Sequence, residues 1–226
     1  MMAVQDLGNT GNASRFIVVE GPIGVGKTSL AIRLAESFPG ELVLEEAGQN
    51  PFLEQFYKSR RTVALPTQLF FLFQRARQLE RLRQADMFAP VRIADFHIAK
   101  DRLFAELNLS RDELKLYEQI YDTVDLEVPE PDLVVYLQAS VDALMTRIAR
   151  RNIPYERMID RAYMEKLTDA YARFFHRYDE APLLIVNTSS IDPVGVDADY
   201  DALFEQVRSI TGGRHFYNPA AAISFA

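Results

Sequence analysis

The chain has 226 residues, and 48% of them are hydrophobic, which is enough to form a sizeable core. Its formal net charge of −7 argues against a nucleic-acid-binding protein, and the lack of cysteine excludes disulfides, zinc–thiolate sites and a cysteine nucleophile. The polar start, residues 1–14, has no apolar signal-peptide core, and no apolar run is long enough to span a bilayer. We therefore expect a cytoplasmic protein with a flexible N-terminus and with neither membrane nor nucleic acid as a partner.

Five short β-rich runs alternate with stretches of helical period. These runs cover 15–20, 41–46, 91–95, 132–138 and 182–187. They are almost continuously apolar, as expected for strands that are buried on both faces of a parallel sheet. The pattern predicts an α/β fold with a five-stranded parallel sheet flanked by helices, which binds ligands at the carboxyl ends of its strands. We expect one domain over 15–211, followed by a tail, 212–226, that has no clear period.

Local signals predict where several helices lie. Asn50, which precedes a proline, is typical of an N-cap with proline at the first helical position. Ser110 and Glu113 have the spacing of a capping box. Longer helical stretches are predicted over 66–84 and 161–178.

The segment GPIGVGKT (21–28) follows the first predicted strand and opens an amphipathic helix, which is the context that a phosphate-binding loop requires. Its glycines let backbone N–H groups turn toward phosphate oxygens, and the helix N-terminus adds partial positive charge. We expect Lys27 to reach the β- and γ-phosphates and Thr28 to hold Mg²⁺. The predicted nucleotide-binding residues are Gly21, Gly24, Val25, Gly26, Lys27, Thr28 and Ser29. The motif predicts a nucleoside triphosphate donor and leaves the acceptor of the γ-phosphoryl group open.

Two carboxylates, Glu45 and Glu46, end the second predicted strand, where the ligand-binding edge of the sheet should lie. Phosphoryl transfer to a hydroxyl needs a carboxylate that accepts its proton. Because neighbouring strand residues point to opposite faces, only one of the two can do this. Taken alone, an acidic pair at a strand end is more often part of a solvated loop.

Five segments in order resemble the deoxyribonucleoside kinase family, and most of all its bacterial deoxyadenosine/deoxyguanosine kinases. They are FIVVEGPIGVGKT, EEAGQNPFLEQFY, TQLFFLFQRARQLE, ADFHIAKDRLFAE and RIARRNIPYERMI. The resemblance implies a P-loop kinase with a short lid that uses ATP and Mg²⁺. It further implies 5′-phosphorylation of a deoxyribonucleoside, with a purine expected, in nucleotide salvage. A homodimer is also implied.

The resemblance implies roles for residues at the acceptor sugar. Glu45 is the expected catalytic base, and Glu46 is the alternative if the correspondence shifts by one residue. Tyr57 and Glu156 are expected to bind the sugar 3′-hydroxyl from opposite sides. Without the resemblance, Tyr57 would be read as an aromatic residue packed on the core.

Gln68 and Arg75 are seven residues apart in a predicted helix, so they lie on one face, two turns apart. The resemblance implies that both face the nucleobase, with Asp101 paired to Arg75 and Phe104 packed on the base. A plain alternative places the two polar residues on a solvent face. A buried base site rejects the wrong base because an unpaired polar group costs about 1–3 kcal/mol.

The segment 147–156 resembles the family's lid over the phosphates. Arg147 and Arg151 are four residues apart on one helical face and match two arginines that clamp the transferring phosphoryl group. A third lid arginine is replaced by Ile153. This departure puts in question how fully the lid neutralises the transition state.

Asp95 matches the acidic residue that begins an Asp/Glu-Arg-Ser motif, and the resemblance implies that it helps to hold Mg²⁺. Here Phe96 stands in place of the motif arginine, which removes one cation from the acceptor side. Arg102 is the residue that we consider as a replacement for that cation.

Two other functions share part of this pattern. A nucleoside monophosphate kinase, such as a thymidylate kinase, would need an arginine cluster for its acceptor phosphate, whereas a carboxylate stands there. A P-loop switch protein that binds ATP and transfers nothing would leave the polar pairs at the predicted base and sugar sites without a purpose.

Overall fold

The computed structural model describes residues 15–38, 40–84, 91–124 and 129–219. Within these ranges the strands are β1 Arg15–Glu20, β2 Gly40–Val43, β3 Val91–Ala94, β4 Leu133–Gln138, β5 Leu183–Asn187 and β6 Arg214–Tyr217. They form one sheet in the order β2-β3-β1-β4-β5-β6, and every pairing is parallel. The predicted α/β class with a parallel sheet is confirmed.

The helices come between the strands, as right-handed crossovers of a parallel sheet require. Those in the described ranges are α1 Lys27–Ser37, α2 Leu53–Lys58, α3 Arg60–Gln84, α4 Lys100–Asn108, α5 Arg111–Thr123, α6 Val141–Arg151, α7 Arg161–Arg177 and α8 Asp197–Ser209. None of these described helices combines the length and the apolar character that crossing a bilayer demands.

The central strands of the sheet are buried on both faces. Ile17, Val18 and Val19 follow one another in β1 and are each almost fully buried, although neighbouring strand residues point to opposite faces. From α7, Leu167 and Tyr171 belong to the same buried cluster as β1. The core therefore fills both sides of the central strands and leaves their carboxyl ends to form the site.

The prediction of five strands was wrong, because the sheet has a sixth. β6 lies inside the segment predicted as a tail and pairs with β5, beginning at Leu183 and Arg214. Its residues are mostly exposed, so they lack the apolar run that reveals a buried strand. The edge position is held by backbone pairing and by Arg214, whose guanidinium donates to the carbonyl oxygens of Phe175, His176 and Tyr178.

Two predicted helix starts have different outcomes. The capping box of Ser110 and Glu113 is confirmed at the start of α5. The N-cap predicted at Asn50 is wrong, since α2 begins at Leu53 and Asn50 closes a short 3₁₀ turn instead. The Asn50 side chain accepts from the N–H of Phe52 and donates to the carbonyl oxygen of Thr67, so it ties this turn to α3.

Candidate active site

The loop between β1 and α1 takes a conformation that only glycine adopts easily. Gly24 and Gly26 have φ angles of 82° and 106°, in the left-handed region. A side chain at Gly24 would also lie within 2.7 Å of Ile148 in α6. Gly26 is the N-cap of α1, so the loop delivers the ligand to the N-terminus of that helix.

A cavity of about 290 Å³ lies over this turn, and we call it the loop cavity. Its wall includes all but one of the predicted nucleotide-binding residues: Gly24, Val25, Gly26, Lys27, Thr28 and Ser29. The remaining one, Gly21, accepts a hydrogen bond from the Lys27 ammonium through its carbonyl oxygen at 2.7 Å. Burial lowers the pKa of Lys27, with Glu20 acting in the opposite direction.

A second cavity of about 160 Å³ lies deeper, and we call it the inner cavity. The predicted acceptor residues that line it are Glu45, Tyr57, Gln68, Arg75, Phe104 and Glu156. Gly24, Lys27, Thr28 and Arg151 line both cavities, so the two meet beside the phosphate loop. The arrangement suits a donor in one cavity and an acceptor in the other. A larger outer groove, of about 680 Å³, between α4 and α7 contains none of the predicted site residues.

Glu45 points into the inner cavity, whereas Glu46 is exposed. Both follow the end of β2, which stops earlier than predicted. One carboxylate oxygen of Glu45 is paired with Arg75, and the other lies 2.7 Å from the Lys100 ammonium. Burial raises the pKa of the Glu45 carboxyl, but Arg75 and Lys100 together hold it below its usual range. Glu45 is therefore an ionised carboxylate at neutral pH.

The backbone around Glu45 is held on three sides. Its N–H donates to the Asp95 carboxylate at 2.6 Å. From α3, Gln78 donates to the carbonyl oxygen of Leu44 at 2.8 Å, and Gln74 donates to that of Glu46 at 3.0 Å. Sequence reasoning missed both glutamines, because only the packing of α3 against this loop shows their role.

Arg75 connects Glu45 with the predicted base site. Its guanidinium is buried and pairs with both Glu45 and Asp101. Asp101 is fully buried behind Arg75 and does not line the inner cavity itself. Burial raises the pKa of Asp101 to about 6, against the opposing effect of Arg75. Gln68 and Phe104 lie on the cavity wall with Arg75, so the structure brings the predicted base-site residues together.

Also on the wall of the inner cavity, Tyr57 stacks on Tyr155, with nearly parallel rings whose centroids lie 6.0 Å apart. Burial raises the pKa of Tyr57, so its hydroxyl stays protonated. The buried carboxylate of Glu156 accepts from Arg151, including a bond of 3.0 Å from Nε. Tyr57 and Glu156 line the same cavity, and Arg151 is engaged with Glu156 in this structure.

The predicted lid is the end of α6 and a 3₁₀ turn over Pro154–Met158, joined through Asn152 with a φ of 58°. Arg147 lines the loop cavity. Its guanidinium donates to the carbonyl oxygen of Thr188 at 2.6 Å and to the Thr188 hydroxyl at 3.0 Å. Arg147 thus ties α6 to the loop after β5.

Thr28 lines both cavities, and its hydroxyl donates to the carboxylate of Asp95, which lines the inner one. A hydroxyl and a carboxylate are oxygen ligands of the kind that Mg²⁺ takes alongside phosphate oxygens. Burial raises the pKa of Asp95, although hydrogen bonds from Thr28 and from the backbone of Glu45 oppose this. These two residues fit the predicted metal position.

The cation missing from the motif is not supplied by Arg102. Phe96 is part of the core, and Arg102 is exposed and paired with Asp122. The cation beside Glu45 is instead Lys100, the first residue of α4, which is buried. Sequence reasoning missed Lys100, because its spacing from the other site residues carried no recognisable pattern.

A buried carboxylate at the end of β1 was also missed. Glu20 accepts from the N–H of Gly21 at 2.9 Å, from the N–H of His97 at 2.6 Å and from the hydroxyl of Tyr171 at 2.9 Å. Lys100 lies 3.8 Å from its carboxylate. Glu20 therefore connects the phosphate loop with the cation beside Glu45.

The chain is similar to known proteins over most of its length. A family model described as deoxynucleoside kinase matches residues 17–211. The chain is 35% identical over 207 residues to a deoxyguanosine kinase of Bacillus subtilis, covering 88% of this chain and 99% of that protein. It is 27% identical to a deoxyguanosine kinase of Lactobacillus acidophilus, covering 84% and 88%. A structure of deoxyadenosine kinase from M. mycoides with bound dCTP superposes with a TM-score of 0.74 at 25% identity, covering 86% of this chain and all of that one (100%).

Proposed function

Because the chain belongs to the deoxynucleoside kinase family, we propose that it transfers the γ-phosphoryl group of ATP to the 5′-hydroxyl of a purine deoxyribonucleoside. Relatives named as deoxyguanosine and deoxyadenosine kinases support a purine acceptor. The observation that carries the proposal is the meeting of two cavities at Lys27 and Thr28, with the Glu45 carboxylate facing into the inner one. Such an enzyme serves nucleotide salvage.

In the proposed reaction the 5′-oxygen attacks the γ-phosphorus, the bond to the β–γ bridging oxygen breaks, and ADP leaves. The proton of the 5′-hydroxyl passes to Glu45. Because the transition state is loose, a carboxylate with a low pKa can serve by accepting this proton late. Most of the rate then comes from positioning and from charge stabilisation.

Positive charge on the donor side comes from three side chains in this proposal. Lys27 turns from the carbonyl oxygen of Gly21 to the β- and γ-phosphates, where its charge is needed. Arg147 and Arg151 stand on the loop-cavity wall and neutralise the transferring group. Mg²⁺ held by Thr28, Asp95 and the phosphates would neutralise charge on their oxygens.

Acceptor recognition is proposed for the rest of the inner cavity. Tyr57 donates to the sugar 3′-hydroxyl and Glu156 accepts from it, which favours a nucleoside that carries this group. Gln68 offers both a donor and an acceptor to the base, and Arg75 offers donors only. Phe104 supplies an apolar surface for the ring.

The two other functions are not favoured. Three of the four described cations on the inner-cavity wall are already paired with carboxylates, since Arg75 and Lys100 are paired with Glu45 and Arg151 is paired with Glu156, whereas Lys27 is engaged with the phosphate loop. A monophosphate acceptor would bring further negative charge to this set. A switch protein without transfer does not fit a chain that belongs to a kinase family over 17–211.

A panel assay tests the proposal. The protein is incubated with ATP, Mg²⁺ and each of the four deoxyribonucleosides or their 5′-monophosphates, and the products are separated by chromatography. We expect product from deoxyguanosine or deoxyadenosine and none from any monophosphate. Product from monophosphates alone would contradict the proposal, as would ATP hydrolysis that is independent of every acceptor.

We also propose a homodimer in the cytoplasm, where ATP is available. Two large apolar side chains are exposed on neighbouring helices: Phe73 of α3 is 47% exposed and Leu116 of α5 is 46% exposed. Contiguous exposed apolar patches often mark an interface, and we propose that these two side chains belong to one. Light scattering after size-exclusion chromatography should give twice the mass of the chain, and Leu116→Glu should lower it toward one chain.

A further inference from the structure

Lys100 occupies an unusual position for a lysine. Its side chain is 4% exposed, and its ammonium lies 2.7 Å from one oxygen of Glu45 and 3.8 Å from Glu20. Burying a charge is costly unless it is paired, so the two carboxylates explain how the ammonium can be there at all. Lys100 also lines the inner cavity, so it borders the space that the acceptor would occupy.

We propose that Lys100 is a positioning residue for phosphoryl transfer, whose ammonium fixes the direction in which the Glu45 carboxylate faces the acceptor hydroxyl. The inference rests on the proposed role of Glu45. A carboxylate on a short loop can rotate about its side-chain bonds, and each fixed oxygen removes part of that freedom. Arg75 fixes one oxygen and Lys100 fixes the other.

Lys100 is itself held in place by Glu20. Its carboxylate accepts hydrogen bonds from Gly21, His97 and Tyr171, and its own residue ends β1. Lys100 therefore bridges Glu45 to a carboxylate that is anchored next to the phosphate loop. This bridge sets the position of the base relative to the donor, which is the distance that an in-line transfer depends on.

No other described cation of the inner-cavity wall can take this place. Lys27 bonds to the phosphate loop, and Arg151 is engaged with Glu156. Arg75 already serves the opposite oxygen of Glu45. Several neighbouring elements bring titratable groups that interact with the Glu45 carboxylate: Lys27 of α1, Arg75 of α3, Asp95 after β3, Lys100 and Asp101 of α4, and Tyr171 of α7. Glu20 of β1 lies 3.8 Å from Lys100.

The test is a kinetic cycle on the full chain with ATP, Mg²⁺ and deoxyguanosine or deoxyadenosine, whichever the panel identifies. Lys100→Met should lower kcat by roughly 10- to 100-fold and leave the KM of the nucleoside within about threefold, because a misplaced base is felt in the transition state. Lys100→Arg should recover most of kcat. In a Glu45→Gln background, Lys100→Met should change kcat by less than about twofold, since residues that act as a unit are not additive.

The matched control is Arg102→Met, which removes an exposed cation two positions away, and it should leave kcat unchanged. A Lys100→Met enzyme with wild-type kcat would overturn the inference. Equal losses in the wild-type and Glu45→Gln backgrounds would also overturn it, because they would show that Lys100 acts only on the fold. Should Lys100→Met fail to fold, the double variant Glu20→Gln/Lys100→Met also removes the negative charge that Glu20 would bury without its ammonium partner. The double variant is then compared with the wild type, and its effect is measured again in the Glu45→Gln background.

The outcomes separate this inference from the proposed function. If Glu45→Gln alone keeps wild-type turnover, the role of Glu45 fails, whatever Lys100 does. If Glu45→Gln loses turnover and Lys100→Met does not, only the inference about Lys100 fails.

Discussion

The loop cavity and the inner cavity differ in what holds their walls in place. The loop cavity is formed by glycines in left-handed conformations and by the N-terminus of α1, which are features of one local segment. The inner cavity is walled by ion pairs between elements, such as Arg75 with Glu45 and Arg151 with Glu156. A backbone cradle suits a phosphate chain that many nucleotides share, whereas fixed side chains suit discrimination between acceptors.

The largest effect should come from the carboxylate at the centre of the inner cavity. Glu45→Gln keeps the shape of the side chain and removes its ability to take a proton, so turnover should fall by about 10²- to 10⁴-fold. Nucleoside binding, followed as the rise in melting temperature with added nucleoside, should persist. Glu46→Gln is the matched control, because Glu46 is exposed, and it should retain wild-type turnover. The reverse ranking of the two variants would make Glu46 the base.

Replacing Arg75, which pairs with two buried carboxylates, should reveal how much the stability of the fold depends on the ion pairs of the inner cavity. Arg75→Met leaves Glu45 and Asp101 without this partner, and we expect a loss of about 3–5 kcal/mol in the free energy of unfolding. Arg173→Met breaks an exposed pair with Asp169 and should cost about 0.5 kcal/mol or less. Urea denaturation measures both. Equal losses would show that the buried pairs of the inner cavity are no more important than surface pairs.

A smaller effect is expected from the glutamines that hold the loop of Glu45. Gln78→Met keeps the length of the side chain and removes its hydrogen bond to the carbonyl oxygen of Leu44. We expect kcat to fall about tenfold, which corresponds to about 1.4 kcal/mol, with an unchanged KM for ATP. Gln55→Met, on the exposed face of α2, should behave as wild type. A wild-type kcat in Gln78→Met would mean that the loop of Glu45 does not need the hydrogen bond from Gln78.

The smallest effect is a pH dependence of stability. The pKa of Asp101 is about 6 in the folded protein and about 3.9 in an unfolded chain, so the folded state binds more protons between these values. The resulting stabilisation is complete below about pH 4 and is lost as the pH rises through about 6. Between pH 5 and pH 7, the wild type should lose about 1 kcal/mol relative to Asp101→Asn. If the free energy of unfolding changes with pH in the same way in both proteins, the pKa of Asp101 does not differ between the folded and unfolded states.

The two cavities also differ in how much of each could be predicted from the sequence. The loop cavity depends on glycine, lysine and threonine at fixed short spacings, so the motif predicts it together with the strand and helix around it. The inner cavity depends on contacts between distant positions, such as Lys100 and Glu45, which are 55 residues apart. The resemblance to a family pointed to most of its residues. The cation that we considered in place of the motif arginine was Arg102, whereas the structure has Lys100 beside Glu45.

Prediction of the fold from the sequence was limited in a similar way. Apolar runs predict β1, β4 and β5 most clearly, because burial on both faces leaves a continuous apolar pattern. The apolar pattern does not predict β6, because this edge strand has mostly exposed side chains and is held by backbone hydrogen bonds to β5. The early end of β2 cannot be predicted for a related reason, because side-chain contacts replace the strand pairing around Glu45. The Asp95 carboxylate accepts from the N–H of Glu45, and Gln74 and Gln78 donate to the carbonyl oxygens of Glu46 and Leu44.

The most direct measurement of the central claim is the fate of a labelled phosphoryl group. ATP labelled at the γ-phosphorus is incubated with Mg²⁺, the protein and deoxyguanosine or deoxyadenosine, and the products are identified by chromatography and phosphorus NMR. We predict that the label appears as a 5′-monophosphate of the nucleoside with the wild type, and that its rate of appearance falls by about 10²-fold or more with Glu45→Gln. Label found only in inorganic phosphate, or transferred equally fast by both proteins, would contradict the claim.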